Sequence, residues 1–154
     1  MTSRLDTKIP PPVVAVATAA AMWALARVGP HRPLDAASGV PLAIGLAIVG
    51  VGFDLAGLVA FRRARTTINP MTPQRTSALV TGGVYRITRN PMYVGLALLL
   101  CAWAIHLAAW WPWLGPPLFV AWITRFQIRP EEHAMERLFG DDFRAYAARV
   151  RRWL

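Results

Sequence analysis

The chain has 154 residues, enough for one domain, and is 55% hydrophobic but only 16% charged. Soluble domains carry about 25% charged residues, and here the apolar residues gather in long runs, which excludes an ordinary soluble globule. The net charge is +9, with Lys8 the only lysine among 17 basic residues. Because the arginines flank the apolar runs, anionic lipid headgroups fit them better than a nucleic acid backbone.

Cys101 is the only cysteine, so no intrachain disulfide is expected. No Cys/His cluster has metal-ligand spacing, and no metal site is expected. Four stretches approach the roughly 20 apolar residues that span a bilayer. The first, 12–28, is Ala-rich and preceded by Arg4 and Lys8. It resembles a signal peptide but reads as a retained helix, because no clear cleavage site precedes a soluble body. The second, 40–61, carries Gly52, Ala56 and Ala60 at four-residue spacing, a face that lets a neighbouring helix approach closely. The third is 92–111. The fourth, 113–128, is short and holds Arg125, which can snorkel to the interface.

The charges orient these spans. Arg62, Arg63, Arg65, Arg75, Arg86 and Arg89 fall between the second and third, and Arg129, Arg137, Arg144, Arg149, Arg151 and Arg152 follow the fourth. Only Arg27 and Arg32 separate the first two. The positive-inside rule then puts both termini and the 62–91 loop in the cytoplasm. Trp110, Trp111 and Trp113 become an aromatic anchor on the other face. In the 129–154 tail, Met135, Leu138, Phe139, Phe143, Tyr146, Val150 and Trp153 recur at three and four residues. That is a basic amphipathic helix on the membrane surface, broken near Gly140 and Asp141. The expected fold is a single all-α integral membrane domain: four transmembrane helices with a cytoplasmic amphipathic tail. The Arg-rich, Lys-poor composition points to a bacterial inner membrane.

Two cytoplasmic segments hold the polar chemistry, 79–95 (LVTGGVYRITRNPMYVG) and 129–154 (RPEEHAMERLFGDDFRAYAARVRRWL). A charge-free turn makes the third and fourth spans antiparallel neighbours, so the two segments should meet. Each also has a purely structural reading. Asn90-Pro91 and Pro130-Glu131-Glu132 are helix starts, and Gly82-Gly83 is a turn signal.

These segments resemble the signature of the membrane methyltransferase superfamily that includes isoprenylcysteine carboxyl methyltransferases and phospholipid N-methyltransferases. The first family's motif is roughly G-x-Y-x-x-x-R-H-P-x-Y-x-G, matched by Gly83, Tyr85, Arg89, Pro91, Tyr93 and Gly95. Asn90 replaces the usual His, and Asn-Pro-Met-Tyr at 90–93 looks more like the phospholipid enzyme. The tail looks like the carboxyl methyltransferase: Glu131, Glu132, Phe139, Gly140, Tyr146, Val150, Arg152, Trp153 and Leu154 match, with Met135 and Phe143 replacing a Leu and a Tyr. The resemblance runs from about Asn69 to Leu154.

The resemblance implies S-adenosylmethionine as cofactor and a lipid or lipophilic small molecule as acceptor. It implies Arg89, Tyr93 and Glu132 as catalytic residues. Val80, Gly83, Tyr85, Arg89, Asn90, Pro91, Tyr93, Gly95, Arg129, Glu131 and Glu132 would bind the cofactor, with the backbone of 80–84 lining the adenosine. The donor types suit this. Arginine clamps a carboxylate, a helix N-terminus receives an anion, and an aromatic face attracts a cation. Glu131 and Glu132 are the only acids between Asp54 and Glu136. A carboxylate acceptor needs no base, whereas an amine or thiol does, from Glu132, His133 or Tyr93. His133 is expected to face solvent, His106 to lie at the far interface, and Cys101 to pack in a helix. Asp54 is an intramembrane acid, expected to pair with Arg62, Arg63 or a loop arginine. Two rival readings are a small multidrug-type transporter working through Asp54 and a membrane reductase using a nicotinamide cofactor.

Overall fold

A computed structural model describes residues 8–30, 36–64 and 79–154. Arg4, Arg32, Arg65, Asn69 and Arg75 lie outside the described residues, as does the middle of the expected 62–91 loop. Among the described residues the elements are helical, with no strand. They are α1 (Pro11–Val28), α2 (Ala36–Arg63), a 3-10 turn (Gly83–Arg86), α3 (Pro91–His106), a second 3-10 turn (Trp111–Leu114), α4 (Gly115–Ile123), a π-turn (Thr124–Ile128) and α5 (Arg129–Arg149).

Among the described residues, two helices are long and apolar enough to cross a bilayer: Pro11–Val28, with mean hydropathy 1.4, and Gly39–Arg63, with 2.2. α2 leaves Leu42, Ile44, Ile48, Val49, Val51, Leu55 and Val59 exposed, an apolar surface that water does not tolerate. α1 starts on a proline, where a missing N–H costs nothing. Its inward face is Pro11, Ala15, Met22 and Ala26. Met22 fills the space over Gly115 at the start of α4, and the Trp103 indole donates to the Ala19 carbonyl at 3.1 Å. Trp110 N–H donates to the Pro30 carbonyl at 3.3 Å. The α1 exit and the α3–α4 turn therefore share one end of the bundle.

The later boundaries differ from the expected ones. α3 has 16 residues and ends at His106, not 111, giving about 24 Å of helix. Ala108 adopts φ 47 in the turn that follows. Trp110 and Trp111 are exposed, as an aromatic anchor requires, but Trp113 packs against the core. α4 begins at 115 rather than 113. No break separates the expected fourth span from the tail, because the π-turn leads straight into α5. Pro130 is the cause. In a regular α-helix its ring would crowd the carbonyl four residues back, and it has no N–H to offer. The wider turn, closed by Arg129 N–H on the Thr124 carbonyl, relieves that conflict. Gly140 does interrupt α5, at φ 48 and ψ −119.

The small-residue face that α2 turns to α3 is also not the expected one. Gly52 has open space where a Cβ would stand. Instead Gly50 and Gly57 lie against α3, and Gly95 of α3 lies against Asp54 and the Gly50 carbonyl. The apolar stripe of α5 turns largely inward. Phe143 and Tyr146 are buried with Tyr85, and Met135, Phe139, Val150, Val80, Val84 and Phe61 pack around them. Leu138 is left exposed.

Candidate active site

The two polar segments meet where α3 begins and α5 leaves the π-turn. Pro91 occupies the first turn of α3 and is buried. Tyr93, two residues on in the same turn, is also buried, and its hydroxyl donates to Glu131 Oε1 at 2.7 Å. Gln127, on the π-turn, donates its amide to the same oxygen at 2.7 Å. Burial pushes the Glu131 carboxyl up to about 7, against the lowering effect of those two hydrogen bonds and helped by the neighbouring Glu132 charge.

Glu132 points to the other side of the same turn. Arg89 approaches Oε1 at 3.0 Å. Arg152 grips both oxygens, Nε on Oε1 at 2.9 Å and a terminal nitrogen on Oε2 at 2.6 Å. The side chains of Arg89 and Glu132 are only 13% and 18% exposed. Two guanidinium groups against one carboxylate leave a net positive charge, and Arg89 Nε is buried with no acceptor. A buried donor without a partner is costly, so this nitrogen marks where an anion would be welcome.

α3 does start at Asn90-Pro91, with Asn90 in the N-cap position, but the Asn90 side chain makes no capping hydrogen bond. Its side-chain amide donates to the Arg152 carbonyl at 2.8 Å. Thr88, fully buried, donates to that carbonyl at 3.2 Å and accepts from Asn90 N–H at 3.2 Å. Arg89 N–H donates to the Arg151 carbonyl at 2.9 Å. The Trp153 indole reaches Thr124 Oγ1 on the π-turn at 3.1 Å. Pro130, Glu131 and Glu132 do stand in the first turn of α5, which continues directly from the π-turn.

Thus Arg89, Asn90, Tyr93, Glu131 and Glu132 are brought together. Tyr85 is buried beside them, its hydroxyl pushed up chiefly by burial. Its ring meets Phe61 of α2 edge-on at 5.6 Å, and its carbonyl accepts from the Tyr146 hydroxyl at 2.7 Å. Val80 packs into the same apolar cluster. Gly83 sits at φ 61, exposed, where the left-handed backbone favours glycine. Gly95 faces α2 rather than this cluster. Arg129 and His133 are exposed. His106 is exposed and stacked on Trp103 at the far end, and Cys101 is half-buried. Among the described residues Arg62 and Arg63 make no ion pair with Asp54, and the loop arginines Arg65 and Arg75, also expected partners, lie outside the described residues. Thr88, Gln127 and Thr124 were not singled out by sequence. An amide inside the apolar run before Pro130 was the one available signal for Gln127.

Fold and site define a class: a helical, membrane-type protein with a charged polar cluster where one apolar helix begins and the last helix starts. The profile of the phospholipid methyltransferase family matches residues 39–142, from α2 into α5. The chain belongs to this family, a methyltransferase family, which favours that reading over the transporter and reductase ones. An uncharacterized protein of Haemophilus influenzae is 46% identical over 63 residues, which is 41% of this chain and the whole of that protein. No solved structure matches the chain.

Proposed function

We propose that the protein transfers the methyl group of S-adenosylmethionine to a lipid or lipophilic acceptor at the cytoplasmic face of a bacterial inner membrane. In this reading α3 and α4 with its π-turn complete four spans, and both termini are cytoplasmic. The observation that carries the proposal is the convergence of two segments far apart in sequence, Arg89 meeting Glu132 at 3.0 Å and Tyr93 meeting Glu131 at 2.7 Å. The donor set fits the cofactor. The orphaned Arg89 Nε suits a carboxylate, and a glutamate suits an ammonium or ribose hydroxyls. When bound, the cofactor supplies an electrophilic methyl on a sulfonium.

The chain's own residues then have separable tasks. Arg89 and Glu132 orient, and holding reactants in line accounts for much of the acceleration in such transfers. Tyr93 fixes the Glu131 carboxylate. For an amine acceptor, Glu131 is suited to take the proton, since its pKa of about 7 matches a base working near neutrality. Val49, Gly52, Phe53 and Ala56 of α2 with Val84 line an open apolar groove next to Tyr85, which suits an acyl chain arriving from the bilayer.

The test uses purified protein in nanodiscs of bacterial lipid. S-adenosylhomocysteine is titrated calorimetrically, and label from methyl-labelled S-adenosylmethionine is followed into the organic extract. Saturable binding with labelled lipid is expected. Folded protein that shows no saturable binding would sink the proposal.

A further inference from the structure

Residues 150–154 follow α5 in extended or irregular form, Val150 having φ −119 and ψ 132. They lie beyond the residues matched by the family profile. Yet this short segment touches residues 88–90, Glu132 and the π-turn. Its Arg151 and Arg152 carbonyls receive the Arg89 N–H, the Thr88 hydroxyl and the Asn90 amide. Its Arg152 side chain holds Glu132, and its Trp153 indole donates to Thr124. The residues before α3 and the π-turn each reach the first turn of α5 directly, through Arg89–Glu132 and Gln127–Glu131. The segment laces the three together.

We infer that residues 151–153 form a strap, and that Arg152 is a positioning residue that fixes Glu132 against Arg89 and leaves Glu131 as the carboxylate that meets the ligand. This rests on the methyltransferase reading of the site. Three features favour it. Glu132 has both oxygens engaged by guanidinium groups, so a ligand cation would have to displace one of them. Glu131 has one oxygen, Oε1, holding both of its hydrogen bonds, from Tyr93 and Gln127. Arg152 is more exposed than the pair it serves, at 35% against 13% for Arg89 and 18% for Glu132. It closes the pair from outside, while Arg89 stays within.

A bidentate guanidinium–carboxylate contact fixes orientation as well as charge. Losing it frees Glu132 to rotate and loosens the carbonyls that hold 88–90. Arg152 acts through Glu132, so the two should fail together and not independently.

The experiment is a double-mutant cycle on the full chain in nanodiscs, with S-adenosylhomocysteine as the probe. Arg152→Gln and Glu132→Gln should each raise the Kd about tenfold, and the double variant should be no weaker than either single one, the signature of coupled groups. Arg152→Lys, which keeps charge but not the bidentate grip, should recover only part of the loss. Glu131→Gln should weaken binding independently, multiplying with Arg152→Gln. Unchanged affinity in Arg152→Gln, or multiplying losses in the Arg152/Glu132 pair, would overturn the inference. If wild-type protein binds no S-adenosylhomocysteine, the methyltransferase reading fails on its own. The strap is then judged by hydrogen exchange at the Arg89 amide. Faster exchange in Arg152→Gln supports a strap, and unchanged exchange refutes it.

Discussion

Two seams hold this molecule together, and they work by opposite means. Between α2 and α3 the contact is made by what is missing: Gly50, Gly57 and Gly95 have no side chains, so the backbones come close. Between residues 88–93 and α5 the contact is made by charge and hydrogen bonds, with Arg89, Arg152 and Glu132 at its centre. The difference follows from the solvent. Lipid gives apolar helices no hydrophobic reason to associate, so close packing must do it. In the proposed topology the polar seam lies near the headgroups, where water has retreated enough for ion pairs to strengthen, yet polar groups still find partners.

The comparison breaks most severely at Gly95. A Cβ there would collide with the Asp54 carboxylate and with the Gly50 carbonyl, and the latter is backbone that cannot swing aside. Gly95→Leu should separate the helices and cost several kcal/mol, the scale of severe overpacking. Size-exclusion profiles and melting curves in detergent should show little folded protein, and a normal melting curve would mean that this seam is not the one that matters.

The polar seam should respond to pH in a way the packed seam does not. The Glu131 pKa is raised from 4.5 to about 7 in the folded protein. Folded protein then binds more protons than unfolded between those values, so stability falls as pH rises through that window and is level above it. Glu131→Gln keeps an acceptor for Tyr93 and Gln127 but removes the titration. Its melting temperature relative to wild type should climb by a few degrees from pH 5 to pH 8, on the scale of about 1–3 kcal/mol. A difference independent of pH would refute this account.

The smallest effect is expected at Gly52. It is a helical glycine that nothing approaches within 4 Å. Gly52→Ala should raise stability slightly, by about 0.5–1 kcal/mol, whereas the same change at Gly50, beside the Gly95 carbonyl and Leu99, should lower it. Equal responses at the two sites would show that α3 does not select between the two faces of α2.

These cases also show what the sequence could disclose. Apolar length and arginine placement gave α1 and α2, and the charge-free turn gave the meeting of the two polar segments. Gly140 announced its own kink. The choice between Gly52-Ala56-Ala60 and Gly50-Gly57 was illegible, because both sets recur at helical spacing and only the partner helix decides. Asn90 looked like a cap because local rules describe it well; its actual partner, the Arg152 carbonyl, lies 62 residues away. The Arg152–Glu132 pair spans 20 residues and two backbone irregularities, which no periodicity encodes.

The π-turn at Thr124–Ile128 has a consequence for how such a protein can change over generations. A π-turn is an α-helix holding one surplus residue, and each residue of an α-helix turns its successors by about 100°. Removing a single residue there would swing the following helix around like a key in a lock. Glu131 would leave Tyr93, Glu132 would leave both arginines, and Phe143 and Tyr146 would leave Tyr85. The apolar helices before the turn would keep their length and composition. A three-nucleotide deletion would thus produce a protein that keeps those apolar helices but has lost its polar centre, and lineages of this fold are expected to guard the length of that turn more strictly than the identity of its residues.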